Sequence, residues 1–429
     1  PFISKQEALI ITLFSLSFPA YHVYFEIIML PYTVFSIFFW LGNLLLVDFY
    51  FRQVKNAPVL LAGIILISLS TFIPSYAVLY APLVGLLLFF KLVENKPRFT
   101  INWQYLILII PLLFFVFIRF TFPTQGIYAD YNKGTDFSFY TYGTRVIKTI
   151  QYLTFDQMNA FFEILATDLI KFLIAASFVF SILFLSKIKL ENNPKFDWRF
   201  LFIGLLLLGI GMFPYVFVGK TPTFGWNSRH ALLLLFPSAI ICVAALRLLP
   251  SIYRFISYGL ILGIFVTFHW NNYVQWEARN IKNMGLMESL KKNFPDNSDL
   301  DILIVKDNYR IVEEVGYHYY DYSTIFKNAW NNEKTIGFDY YSLGRSLETE
   351  IDEITKTRKW EPYLLDFKNM KDFNFERAKM NELLIEKNQN LNPTELLLNY
   401  YQLKFFDNSE SLKQFKIDLI NLSILNYPN

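Results

Sequence analysis

The sequence predicts an α-helical polytopic membrane domain followed by a small extracytoplasmic α/β domain. Three observations carry that expectation. The 429 residues are 54% hydrophobic and 17% charged, with a mean hydropathy of +0.32, whereas a soluble domain carries about 25% charged residues. The excess is aromatic, with 46 Phe, 27 Tyr and 8 Trp. Charge is also unevenly placed: residues 1–270 hold 19 Lys+Arg against 11 Asp+Glu, and residues 271–429 hold 20 against 25. A basic, charge-poor stretch joined to an acidic, charge-rich one divides into a transmembrane domain, 1–270, and a soluble domain, 271–429. These figures exclude disorder, collagen and coiled coil. The basic excess belongs to membrane-flanking loops, so no nucleic-acid partner is expected. The sole cysteine, Cys242, can form no intrachain disulfide and no cysteine-based metal site. The chain opens on Pro1 without Met or a signal peptide, and it reads as a fragment of a longer membrane protein.

A bilayer core about 30 Å thick needs roughly 20 apolar residues of helix. In chain order the apolar runs are 7–20, 27–50, 58–73, 76–91, 104–119, 161–186, 200–219, 230–248 and 255–270. Nine crossings are therefore expected, with 58–73 and 76–91 either a hairpin across the bilayer or one that only enters it. Lys and Arg concentrate in one alternate set of connections, around Arg52, Lys91, Lys187 and Arg247, which assigns that set to the cytoplasm. The loops 120–160 and 219–229 and the tail from 271 then lie outside. Within the tail, 273–294 reads as a helix leaving the membrane. Leu300 to Val305, bounded by Pro295-Asp296-Asn297-Ser298, reads as a buried strand. Tyr317 to Trp330 is expected to be helical and Thr335 to Phe338 to be a short strand. From 346 onward the pattern is charged and helical, with Asn392-Pro393-Thr394-Glu395 as a helix start.

The stretch Phe213 to His230 ends one apolar run and opens the next through a turn of Gly, Pro, Asn and Ser. Ser228, Arg229 and His230 are expected in the first turn of helix 230–248. An anion there would gain from free N–H groups and the arginine fork together. Arg229 thus either holds a phosphate at the outer membrane surface or snorkels into the headgroups while His230 caps or packs. In the loop 120–160, Asp130 and Asp136 stand among Gly, Asn and Tyr. They can serve as a general base on a sugar hydroxyl or hold a divalent metal with water, or they are simple turn residues. Glu26 precedes an apolar run near the outer face and is a further acidic candidate. Arg145 and Lys148 are as easily membrane-surface anchors, while Lys220, with Arg145 from the other outer loop, is expected to line the same cavity as Arg229. Asp168 and Lys171 are spaced to pair across one turn. No Walker loop, dinucleotide-binding glycine fingerprint or His-Glu-x-x-His pair occurs, and the four histidines lack ligand spacing.

At Gly225-Trp226-Asn227-Ser228-Arg229-His230, followed by Ala231-Leu232-Leu233-Leu234-Leu235, the chain resembles bacterial multi-pass proteins grouped near the GT-C glycosyltransferases. Gly316 to Tyr322 and Phe326 to Trp330 resemble the soluble part of such relatives. The resemblance implies a cytoplasmic-membrane enzyme that moves a sugar from a polyprenyl-phosphate donor to an acceptor glycan on the outer face. It implies Arg229, with His230, Lys220 and Arg145, at the lipid phosphate. The acidic base or metal ligand of that family has no secure match, and Glu26, Asp130 or Asp136 would have to replace it. The competing reading is a non-enzymatic multi-pass protein, either a transporter or an assembly scaffold for envelope polysaccharide.

Overall fold

The computed structural model describes residues 5–20, 30–51, 56–94, 106–123, 138–185, 198–295, 302–311, 319–331, 335–340 and 380–426. The chain divides into two compact units, residues 1–124 with 132–270, and residues 125–131 with 271–429. The first unit is helical. Its elements are α1 (Lys5–Ser17), α2 (Leu30–Phe51), α3 (Ala57–Ser70) and α4 (Pro74–Glu94), then a 3₁₀ turn (Ile107–Ile109) leading into α5 (Ile110–Thr121). Next come α6 (Phe139–Gln151), a π-helical segment (Tyr152–Asp156), α7 (Gln157–Thr167), α8 (Leu169–Leu185) and α9 (Trp198–Phe217). A 3₁₀ helix (Gly225–Leu234), α10 (Leu235–Leu246) and α11 (Ser251–Asn293) come last, and α11 runs on past the unit boundary.

Among the described residues, four helices are long and apolar enough to cross a membrane: Pro31–Tyr50, Trp198–Phe217, Asn227–Leu246 and Ser251–Asn293. A bent pair, Phe139–Thr167 with Leu169–Phe184, raises the number to five if it counts as one span. The expected nine crossings are not reached among the described residues. The apolar runs near 7–20, 58–73 and 104–119 form the short helices Gln6–Ser17, Ala57–Ser70 and Ile107–Thr121 instead. The run 161–186 is not one helix either. It breaks at Asp168, where the chain turns by 106°, and the Lys171 ammonium pairs with the Asp168 carboxylate at 2.7 Å. From Phe139 on, the expected loop 120–160 is helix as well, made of α6, the π segment and the start of α7.

Small residues let the helices approach closely, as membrane bundles require. A Cβ on Gly42 of α2 would stand 2.9 Å from the carbonyl oxygen of Gly63 on α3. Gly263 of α11 lies against the backbone of Ala176 on α8, with 2.9 Å from its would-be Cβ to the Ala176 Cα. Glu7, in the first turn of α1, accepts two bonds from Arg247 at the end of α10, Nε to Oε1 at 2.9 Å and Nη2 to Oε2 at 2.8 Å. Each charge sits at the helix end whose dipole favours it, and the Arg247 guanidinium lies 4.7 Å from the Phe200 ring centroid. At the other end of α1, the His269 Nε2 and the Ser17 carbonyl are 2.9 Å apart.

The second unit is α/β. Its strands are β1 (Ile302–Asp307), β2 (Ile336–Asp339), β3 (Met380–Lys387) and β4 (Ile420–Asn426), in the sheet order β2-β1-β3-β4. β1 pairs in parallel with β2 and with β3, and β3 pairs antiparallel with β4. The expected strand at Leu300–Val305 is thus present as β1, and Ile302 to Val305 are fully buried. α12 (Tyr319–Trp330) is the expected aromatic helix. It lies over β2, where Gly337 leaves room for Tyr322 and Phe326 and its N–H donates to Ser323 Oγ at 3.1 Å. α13 (Pro393–Phe406) opens at Asn392 with a capping box closed by Glu395, and α14 (Ser409–Ile417) follows. The charged stretch after 346 is not helical throughout, because β3 and β4 lie in it. β3 buries Asn381, Leu383 and Ile385 on alternate positions, which is the period of a strand and not of a helix.

Candidate functional site

The candidate site is the turn between α9 and the 3₁₀ helix. α9 ends in a Schellman motif: Gly219 takes a φ of 77°, its N–H donates to Val216 O at 3.2 Å, and the Lys220 N–H donates to Tyr215 O at 2.8 Å. Only a glycine takes that left-handed conformation at no steric cost. α6 adds two further donors to this helix end. Arg145 Nη1 donates to Val216 O at 3.1 Å and the Tyr142 hydroxyl to Phe217 O at 3.3 Å. The Arg145 guanidinium also lies 5.7 Å from the Tyr142 ring centroid. Arg145 therefore reaches the same helix end as Lys220, and it serves there as a cap for the negative end of the α9 dipole.

The expected position of Arg229 needs correction. Ser228, Arg229 and His230 do not open an α-helix; they lie inside the 3₁₀ helix, which begins at Gly225 with a φ of 70°. Pro237, in the first turn of α10, has no N–H to give the Leu233 carbonyl, so that carbonyl lacks its i→i−4 bond where the 3₁₀ helix passes into α10. The Leu233 carbonyl oxygen lies instead against Gly211 of α9, 2.9 Å from where a Cβ would be. The donors that a helix start leaves open belong to Gly225 and the residues just after it, upstream of Arg229.

Ser228 is fully buried and His230 is 7% exposed. The His230 ring packs on Tyr215 at a centroid distance of 5.4 Å, so its place is in the apolar packing behind the turn. Arg229 and Lys220 are both half-buried. Burial, together with the Arg229 charge, pushes the Lys220 ammonium down to about 8. Two cations thus stand close together in a setting that hydrates them only in part, a field that favours an anion. Next to the turn, Tyr152 in the π segment is buried, stands edge-on to Phe224 at 5.5 Å and donates to Ala20 O at 2.8 Å.

Arg145, Lys220, Arg229 and His230 therefore gather around one helix end and the turn that leaves it. Glu26, Asp130 and Asp136, the acidic candidates, lie outside the described residues. Among the described residues, no group of three or more His, Cys, Asp or Glu is placed to hold a metal ion.

A second polar cluster, which sequence reasoning missed, lies at the carboxyl ends of the parallel strands in the α/β unit. Asp307, at the end of β1, pairs with Lys282, accepts from the Tyr322 hydroxyl at 3.1 Å and accepts from the Tyr309 N–H at 3.0 Å. Asp339, at the end of β2, takes two bonds from Arg310 Nη2, at 2.8 and 3.1 Å. Burial and the Asp307 carboxylate push the Tyr309 hydroxyl up. Each acid there already faces a cation, so the cluster ties strand ends together. Comparison of the chain with protein-family models, with curated proteins and with solved structures returns no match.

Proposed function

We propose that this chain is a multi-pass membrane protein that holds a polyprenyl-phosphate-linked sugar at the turn after α9 and passes the sugar to an acceptor glycan on the outer face. The observation that supports the reading is the pair of cations, Lys220 and Arg229, held half-buried and mutually repelling where two long apolar helices meet. A lipid phosphate carries the charge opposite to both side chains, and its apolar tail suits the helices around it. In the transfer, the acceptor hydroxyl oxygen bonds to the anomeric carbon while the bond from that carbon to the phosphate oxygen breaks. The hydroxyl proton goes to a base, for which Glu26, Asp130 and Asp136 are the candidates, and the polyprenyl phosphate departs. Positive charge at the phosphate stabilises that leaving group. A divalent metal belongs to the proposal only through the same acids. In this reading the chain sits in a bacterial cytoplasmic membrane with residues 271–429 outside.

Binding of polyprenyl phosphate to the purified protein in nanodiscs, measured by native mass spectrometry beside the uncharged polyprenol of equal length, tests this reading. The phosphate form is expected to bind at least tenfold more tightly. Each charge-assisted bond contributes about 1.5–3 kcal/mol, so Arg229→Ala should weaken it by roughly one to two orders of magnitude. Arg229→Lys should restore only part, because a point charge does not replace a fork. Equal binding of phosphate and alcohol would leave the non-enzymatic scaffold as the better reading. The side of the tail is read separately, by thiol labelling of Thr223→Cys and Asn421→Cys in a Cys242→Ala background.

A further inference from the structure

We infer that the helix Phe139–Thr167, comprising α6, the π segment and α7, lies in the plane of the membrane with one face sunk into the boundary between lipid headgroups and acyl chains. The inference rests on the membrane reading above. It begins from three faces that the helix shows. Thr149, Tyr152, Gln157 and Ile164 are buried, and around them Tyr142, Val146 and Leu153 pack with Met212, Val216 and Leu234. Lys148, Gln151, Asn159 and Glu163 are exposed and polar. Phe139, Ile147, Ile150, Phe155, Met158 and Phe162 are exposed and apolar, Phe139 at 85% and Phe155 at 66%.

These classes hold their faces only because of the π segment. At about 100° per residue, the apolar positions before Tyr152 fall in one arc of about 80°. A straight α-helix would then carry Phe155, Met158 and Phe162 onto the polar arc. The π turn closes over one more residue than an α turn. With that residue absorbed at Tyr152–Asp156, all six apolar side chains return to a common arc of about 80°, the polar four occupy the next arc, and the buried four lie beyond. The π segment is thus a register device for an exposed apolar stripe. An exposed stripe that helix geometry keeps aligned from Phe139 to Phe162 calls for a continuous apolar medium along one side.

The surroundings choose the medium. At Asp168 the chain turns by 106° into α8, a helix of 17 residues whose large exposed side chains, among them Ile170, Leu173 and Phe178, are apolar. With α8 set into the bilayer, a helix at nearly a right angle to it runs along the surface. The exposed polar face beside the apolar one suits that position and no deeper one, since Lys148 and Glu163 would be costly within hydrocarbon. Phe and Tyr rings with an adjacent cation are the composition of an interfacial helix.

Site-directed nitroxide labelling of the full chain, in a Cys242→Ala background and in mixed phosphatidylcholine–phosphatidylglycerol vesicles, tests the inference. Labels at 147, 155 and 162 are expected to collide more with oxygen than with a water-soluble nickel chelate, all at similar shallow depth. Labels at 148, 151 and 163 should show the reverse. Deleting Thr154 should rotate the second half by about 100° and move the oxygen-rich positions downstream off 155, 158 and 162. Control labels at Leu205 and Phe178 keep the two readings apart. If those controls are as oxygen-poor as a water-exposed site, the membrane reading itself fails. If they are oxygen-rich while 147, 155 and 162 are water-exposed or shielded from both reagents, the in-plane helix alone is wrong. A steady increase of depth from 139 to 167 would also overturn it, because the helix would then cross.

Discussion

Replacing Glu7 with Ala removes one partner from an ion pair that joins the first helix of the helical unit to the end of α10. Both residues are 7% exposed, and the two bonds are 2.8 and 2.9 Å long. Removing one member of a buried pair costs about 3–5 kcal/mol, because the other charge stays buried without its counter-charge. Two charge-assisted bonds at about 1.5–3 kcal/mol each reach the same range. Glu7→Gln keeps an oxygen acceptor and should cost about half as much. The double variant Glu7→Leu with Arg247→Met removes both charges and should cost far less than the two single losses added together, since apolar replacement of a whole buried pair is often neutral. Cys242, the sole thiol of the chain, lies on α10 shortly before Arg247 and is half-buried. A thiol-reactive fluorophore therefore reports melting of this region in detergent. At roughly 2–4 °C per kcal/mol for a unit of this size, Glu7→Ala should lower the midpoint by about 6–20 °C. High salt should leave the difference intact, because a buried pair is little screened. A loss under about 1 kcal/mol, or one that salt abolishes, would show a solvated pair and refute the reasoning.

Gly211→Ala pushes a methyl group to 2.9 Å from the Leu233 carbonyl oxygen, whereas Gly209 on the same helix faces open space. The first should destabilise by about 1–3 kcal/mol and the second should be neutral or better in the same thermal assay. Asp307→Asn leaves the buried Lys282 ammonium without its counter-charge. It should cost about 3–5 kcal/mol, read as faster amide exchange in β1 and β2. Lys220 titrates near 8 in the folded chain against 10.5 ordinarily. The penalty for its charge is therefore fully present below 8 and is relieved as pH rises from 8 towards 10.5, where the unfolded chain holds the proton longer. Lys220→Met should flatten that rise in melting temperature, and anion binding at the turn should weaken above about pH 8 in the parent protein only. Asn392→Ala removes the capping-box acceptor for the Glu395 N–H at 2.9 Å and should cost about 1 kcal/mol.

Whatever short-range pattern decides was legible in the sequence. Apolar runs located most helices of the first unit, though not Phe139–Gln151, which read as loop; the Pro-bounded run Leu300–Val305 located β1, and Asn392 to Glu395 located a helix start. The length of each crossing was less legible, since Asp168 breaks a run that composition reads as continuous. β3 was missed because Met380–Lys387 carries Glu382, Glu386 and Lys387 around its buried Asn381, Leu383 and Ile385. In so short a stretch, Leu384 is enough to disguise the alternation. At the candidate site the four basic residues were readable as types, yet the duty of Arg145 was not. Its acceptor is a carbonyl 71 residues away, exposed by a helix end that only the fold brings near. Glu7 and Arg247, 240 residues apart, escaped notice for the same reason.

The order of strands in the small sheet has a consequence for how the chain is made. β1 is the inner strand that touches both parallel neighbours, and its Ile302 is in register with Met380, far along the chain. At about 5–20 residues per second of synthesis, a strand that opens with the apolar residues Ile302 to Val305 waits roughly 4–16 seconds for the partner that covers its second edge. β3 in turn depends on β4, which ends at Asn426. Until β4 emerges, the growing polypeptide presents an uncovered edge that can pair with another nascent chain. A premature stop between 387 and 420 would make that exposure permanent, and such products should aggregate or be degraded even when every helix of the first unit is already formed.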